Sequence, residues 1–124
     1  PSYSIPEIEA FLREHDIPYR KYTDQELFDK TCDYITEGKI IGWFQGRMEY
    51  GPRALGSRSI LGDARIADLQ KTMNMKIKFR ESFRPFAPLV LEEDTEKVFQ
   101  WKESSPYMLF VASVKEELRK KMTP

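Results

Sequence analysis

Apolar positions recur along this chain with two different periods, and the change from one to the other marks its elements. In "SIPEIEAFLREHDI", Ile8, Phe11 and Leu12 repeat at helical spacing, and Ser4 with Glu7 has the form of a capping box. "TDQELFDKTCDYITEG" repeats the device: Thr23 and Glu26 make the box, Leu27, Phe28, Thr31, Tyr34 and Ile35 share one side, and Gly38 supplies the stop. These patterns predict two helices, with "YRKY" as a short strand between them. "KIIGWFQ" is a continuous apolar, β-branched run and predicts a buried strand, and "RSILGD" predicts another. Asp63 stands where it would cap a helix over "ARIADLQKTMNMKIK", in which Ile66, Leu69, Met73 and Ile77 form the stripe. Pro85 and Pro88 forbid its continuation. Further on, "PLVL" and "YMLFVASV" read as strands, "DTEKVFQW" as a short helix and "KEELRKKM" as a terminal helix. The alternation, without repeats or a linker, predicts one α/β (α+β) domain over residues 1–124, built on a mixed sheet flanked by helices.

Composition narrows the class. Hydrophobic residues at 40% and charged residues at 32% describe a globular protein rather than a disordered one. The net charge of +0 excludes a global field toward nucleic acid or an anionic membrane, yet residues 45–85 hold nine basic against four acidic side chains, a local +5. The single cysteine, Cys32, excludes an internal disulfide and suits a reducing compartment; it is expected as a small buried apolar residue. His15, also single, is expected at the end of the first helix, not on a metal. Apolar runs such as "PFAPLVL" fall far short of the roughly 20 residues that span a bilayer, so the expected address is the cytoplasm, with no membrane partner. A chain opening on Pro1 is expected to be a piece of something longer.

The local charge is concentrated in two loops. "GRMEYGPRALGSRSI" puts Arg47, Arg53 and Arg58 among Gly46, Gly51 and Gly56 directly after a buried strand. Such a loop favours an anionic ligand, because glycines allow close approach of backbone amides and arginine grips phosphate or carboxylate with a planar fork. Glu49 is expected to orient one of these arginines, and Ser57 and Ser59 are within reach of phosphate oxygens as donors. The second loop, "KIKFRESFRPFAP", contributes Lys76, Lys78, Arg80 and Arg84; on an extended backbone the first three would share one side. Arg65 and Lys71 are expected to be ordinary solvated charges, and Trp43 and Phe44 to be core. Neither loop matches a Walker or dinucleotide fingerprint.

The strings "GWFQGRMEYGPRALGSRSILGDAR", "NMKIKFRESFRPFAPLVLEE" and "SPYMLF", spanning about Ile40 to Phe110, resemble the C-terminal domain of O-carbamoyltransferases of the NodU and TobZ type. The resemblance implies a YrdC-like fold, here truncated. It further implies a domain that binds carbamoyl phosphate and ATP with Mg²⁺ as co-substrate, and forms carbamoyl adenylate. A separate N-terminal ASKHA-like transferase domain of the same polypeptide would then pass the carbamoyl group to an acceptor hydroxyl. By position, Arg53, Lys78 and Arg84 are the first choices for phosphate contacts, Arg47, Arg58 and Arg80 the second, with Lys76 and Ser59 behind them. Domains of this type continue with a segment resembling "HVDGTARVQ", whereas this sequence stops at "KKMTP", so a chain of this extent is expected to be inactive alone. The residues leave one alternative: an RNA-binding module using the same arginine-rich surface.

Overall fold

The computed structural model describes residues 1–119, and the predicted "KEELRKKM" helix lies partly outside them. The chain divides into two compact units, Pro1–Pro85 and a second that begins at Phe86.

In the first unit the two predicted helices form where the capping boxes put them. Helix α1 spans Ile5–Glu14 and helix α2 spans Asp24–Thr36, and both boxes are closed by reciprocal bonds between the cap and the glutamate three residues on. At the end of α2, Gly38 adopts φ +81°, its N–H donating to Ile35 O and that of Lys39 to Tyr34 O. This paired closure needs the left-handed conformation that glycine reaches without a Cβ penalty. His15 closes α1, its Nδ1 2.9 Å from Phe11 O and its ring stacked on Phe11. "YRKY" forms no strand; it passes along α1, where Lys21 pairs with Glu9. Cys32 is exposed rather than buried.

The predicted strands at the arginine loop are correct. Strand β1, Ile41–Phe44, pairs antiparallel with β2, Arg58–Leu61, in the register Ile41 to Leu61 and Phe44 to Arg58. The mixture of helix and strand is as expected, but among the described residues the sheet has these two strands only. "PLVL" forms no strand, and "YMLFVASV" pairs only at its end, where Val114 bridges Phe99 and Ser113 O accepts from Gln100 N; Leu89 and Val111 lie exposed.

After β2 the chain turns tightly at Gly62, where a Cβ would come within 2.9 Å of Leu69 Cδ2 and 3.0 Å of Met73 Sδ. Leu69 and Met73 are the buried apolar residues among those described. Leu69 opens helix α3, Leu69–Thr72, and Met73 opens the π-helical turn, Met73–Ile77, into which that helix runs on. The helix starts later than its pattern predicts because Asp63 does not cap it. Instead its carboxylate takes Arg65 Nε and Nη2 at 2.6 to 3.0 Å, an ion pair that lowers the Asp63 pKa to about 2. Arg65 is therefore paired, not merely solvated.

The second unit is mostly irregular. A 3₁₀ turn, Glu92–Asp94, leads into helix α4, Thr95–Val98, and a single bridge joins Phe99 to Val114. A cleft of about 410 Å³ in this unit is lined by Glu96, Phe99, Trp101 and Lys115 among others, and holds none of the residues singled out above.

Candidate anion-binding site

The loop between β1 and β2 is organised by one carboxylate and one guanidinium. Its glycines permit the path, with Gly51 and Gly56 at φ +120° and +114°. Glu49 pairs with no arginine side chain among the described residues. Its Oε1 accepts the backbone N–H groups of Leu55 at 2.7 Å, Ser57 at 2.6 Å and Arg58 at 3.3 Å. These amides, led by Leu55, lower the Glu49 pKa to about 2, so near neutral pH the charged form holds them. A glutamate two residues before a glycine can curl back over the loop, and amides freed by glycine turns are better partners than a mobile guanidinium.

Arg58 closes the neck of the same loop. Its Nη1 donates to Gln45 O at 2.9 Å and Ser57 O at 2.7 Å, its Nη2 donates to Gly46 O at 3.2 Å, and its Cζ lies 3.4 Å over the Phe44 ring. Phe44 is thus a platform for a cation, half exposed, rather than core. Ser59 is also engaged, its Oγ accepting from Gly56 N at 3.0 Å. Arg47 and Arg53 differ: both are exposed, and no ion pair or hydrogen bond is made by their guanidinium groups among the described residues. Internal bonds thus account for Arg58 and leave two cations at the rim.

The second loop is held by an amide that sequence reasoning missed. Asn74 is fully buried; its Nδ2 donates to Ser82 O at 3.1 Å and Arg84 O at 2.8 Å, and its Oδ1 accepts Arg80 Nε at 2.6 Å. Gln70, one helical turn earlier, adds a bond to Arg84 O at 3.0 Å. Arg80 and Arg84 are brought together by this clamp, with Arg84 Nε also 2.8 Å from Glu81. The expected extended geometry of Lys76, Lys78 and Arg80 is not observed. Lys76 lies in the π-helical turn and Lys78 just after it, because the helical pattern persists through Ile77. The available signal was Gln70 and Asn74 at i, i+4 beside the apolar stripe, two amides aimed at the proline loop.

The glycine- and arginine-bearing loop and the arginine- and proline-bearing loop lie on either side of the Gly62 turn in the chain, each shaped by internal bonds. Exposed guanidinium groups beside glycine turns are of the chemical class that suits an anion. The comparisons with known proteins give the class its family. Residues 32–124 match the model of the carbamoyltransferase C-terminus, and the chain belongs to that family.

Among its relatives, an uncharacterised protein of Synechocystis sp. is 52% identical over 126 aligned positions, covering 100% of this chain and 20% of its own length. Nodulation protein NolNO of Sinorhizobium fredii is 46% identical over 97 positions, 76% of this chain and 14% of the relative. The 3'-hydroxymethylcephem-O-carbamoyltransferase of Streptomyces clavuligerus is 42% identical over 83 positions, 67% of this chain and 16% of the relative. The chain therefore spans about a fifth or less of the curated relatives it matches.

Proposed function

We propose that this chain is the part of an O-carbamoyltransferase that holds carbamoyl phosphate and ATP, accompanied by Mg²⁺, while carbamoyl adenylate forms. The observation that carries the reading is the division of labour in the first loop, where Glu49 and Arg58 are used to build the loop and Arg47 and Arg53 are left exposed at its rim. Carbamoyl phosphate and ATP are both polyanions. Their close approach, the release of inorganic phosphate as water cleaves carbamoyl phosphate to carbamate, and the charge that develops as the α-phosphorus gains the carbamate oxygen and loses pyrophosphate, require cations already in place. Arg53 serves the phosphate groups from the glycine loop, Arg84, Arg80 and Lys78 serve them from the second, and Lys76 and Arg47 add to the local field. Ser59 retains its hydroxyl proton for a phosphate oxygen.

Transfer to the hydroxyl of an acceptor molecule belongs to a separate N-terminal domain of the same polypeptide. Large apolar side chains such as Tyr50, Phe79, Phe83 and Leu89 are strongly exposed, as expected of surfaces that pack against further protein. Relatives about five times longer than this chain support the reading. No observation favours the RNA alternative.

Calorimetric titration of the full-length protein with carbamoyl phosphate and with Mg·ATP tests the reading. Saturable binding is expected, weakened at least about tenfold by Arg53→Ala, the loss of one charge-assisted hydrogen bond of about 1.5 kcal/mol. Unchanged affinity in a folded Arg53→Ala protein would contradict the assignment.

A further inference from the structure

Residues 50–54 carry Arg53, and among the described residues no hydrogen bond or ion pair anchors them directly. The segment begins next to Glu49 and ends next to Leu55, and those two residues are bonded to each other through the Glu49 carboxylate and the Leu55 amide. Ser57 and Arg58 give the same oxygen two further amides, so one carboxylate fastens both ends of the "YGPRA" sub-loop. Inside the sub-loop, Gly51 supplies the φ of +120° that the turn needs, and the fixed φ of Pro52 restricts the backbone directly before Arg53.

We infer that Glu49 is a positioning residue for Arg53, its carboxylate fixing where that guanidinium stands against an anionic substrate. The inference rests on the proposed role of Arg53 and adds to it the device that makes one exposed arginine an ordered ligand. An acidic residue beside a phosphate site would ordinarily oppose the anion. Here the amides that surround Oε1 offset its charge, and no ion pair to Arg53 reduces the charge offered to substrate. The same amides are occupied by Glu49, so they are not themselves the anion site. The Arg58 guanidinium closes the neck through other atoms, among them Gln45 O and Gly46 O.

A double-mutant cycle on the full-length protein tests this, with carbamoyl phosphate and Mg·ATP as titrants and Arg53→Ala, Glu49→Ala and the double variant compared with wild type. Glu49→Ala is expected to weaken the ligand that Arg53→Ala weakens by about tenfold, while adding less than about twofold once Arg53 is gone, because the two act through one contact. Glu49→Gln keeps an acceptor oxygen in place and is expected to recover part of the affinity; if Glu49→Ala does not fold, the same cycle is run with Glu49→Gln. Additive losses, or no loss on changing Glu49 while Arg53→Ala is damaging, would overturn the positioning role and leave the proposed function standing. An Arg53→Ala protein that binds both ligands normally would overturn both.

Discussion

Replacing Asn74 by alanine is expected to destabilise the protein by about 4 kcal/mol, read from chemical denaturation of the full-length chain. The side chain is fully buried and makes three hydrogen bonds, to Ser82 O, Arg84 O and Arg80 Nε. Its removal deprives a carbonyl and a guanidinium edge of their partners and opens a void between helix and loop; Arg84 O alone keeps a second bond, from Gln70. Each neutral bond contributes about 1 kcal/mol and the charge-assisted one about 2 kcal/mol. Asn74→Asp separates hydrogen bonding from volume. It preserves size and the acceptor for Arg80, but presents a second carboxylate oxygen to two carbonyls, and is expected to be nearly as damaging. A stable Asn74→Asp protein would mean that the two bonds from Nδ2 contribute little beside packing and the Arg80 bond.

Replacing Arg58 by alanine is expected to lower stability by about 2–3 kcal/mol and to weaken anion binding in the same variant. Arg58 donates to three carbonyls that lie on both sides of the loop neck and stacks on Phe44, so its loss frees the base of the hairpin. Arg58→Lys is expected to recover little, because an ammonium is a point donor and cannot replace a planar fork that spans both strands. A direct ligand contact behaves otherwise: Arg58→Ala would then lose affinity with denaturation unchanged. Thermal or chemical unfolding beside ligand titration distinguishes the two.

The helices α1 and α2 were legible in the sequence to within a residue or two. Their capping boxes and the glycine stop are local devices, decided by atoms three or four residues apart. The hairpin β1–β2 was legible for a related reason, since two β-branched runs flank a glycine loop. Strands over "PLVL" and "YMLFVASV" were not formed, because an apolar run specifies burial but not the partner, and a strand needs a neighbouring ladder. The site divides in the same way. That arginines and glycines cluster was plain from the spacing of Arg47, Arg53 and Arg58; which of them builds the loop and which is left exposed depended on where Glu49 folds back. Asn74 was invisible because its partners Ser82 and Arg84 lie eight and ten residues away, across a proline loop whose path no local rule sets.

The central claim is that the anionic substrates are held by the loops over 46–58 and 76–84. Backbone amide hydrogen exchange of the full-length protein, with and without carbamoyl phosphate and Mg·ATP, tests it most directly. The account predicts added protection over these two loops, lost in Arg53→Ala. Protection confined to the cleft around Trp101 and Lys115, with both loops unchanged on saturation, would contradict it.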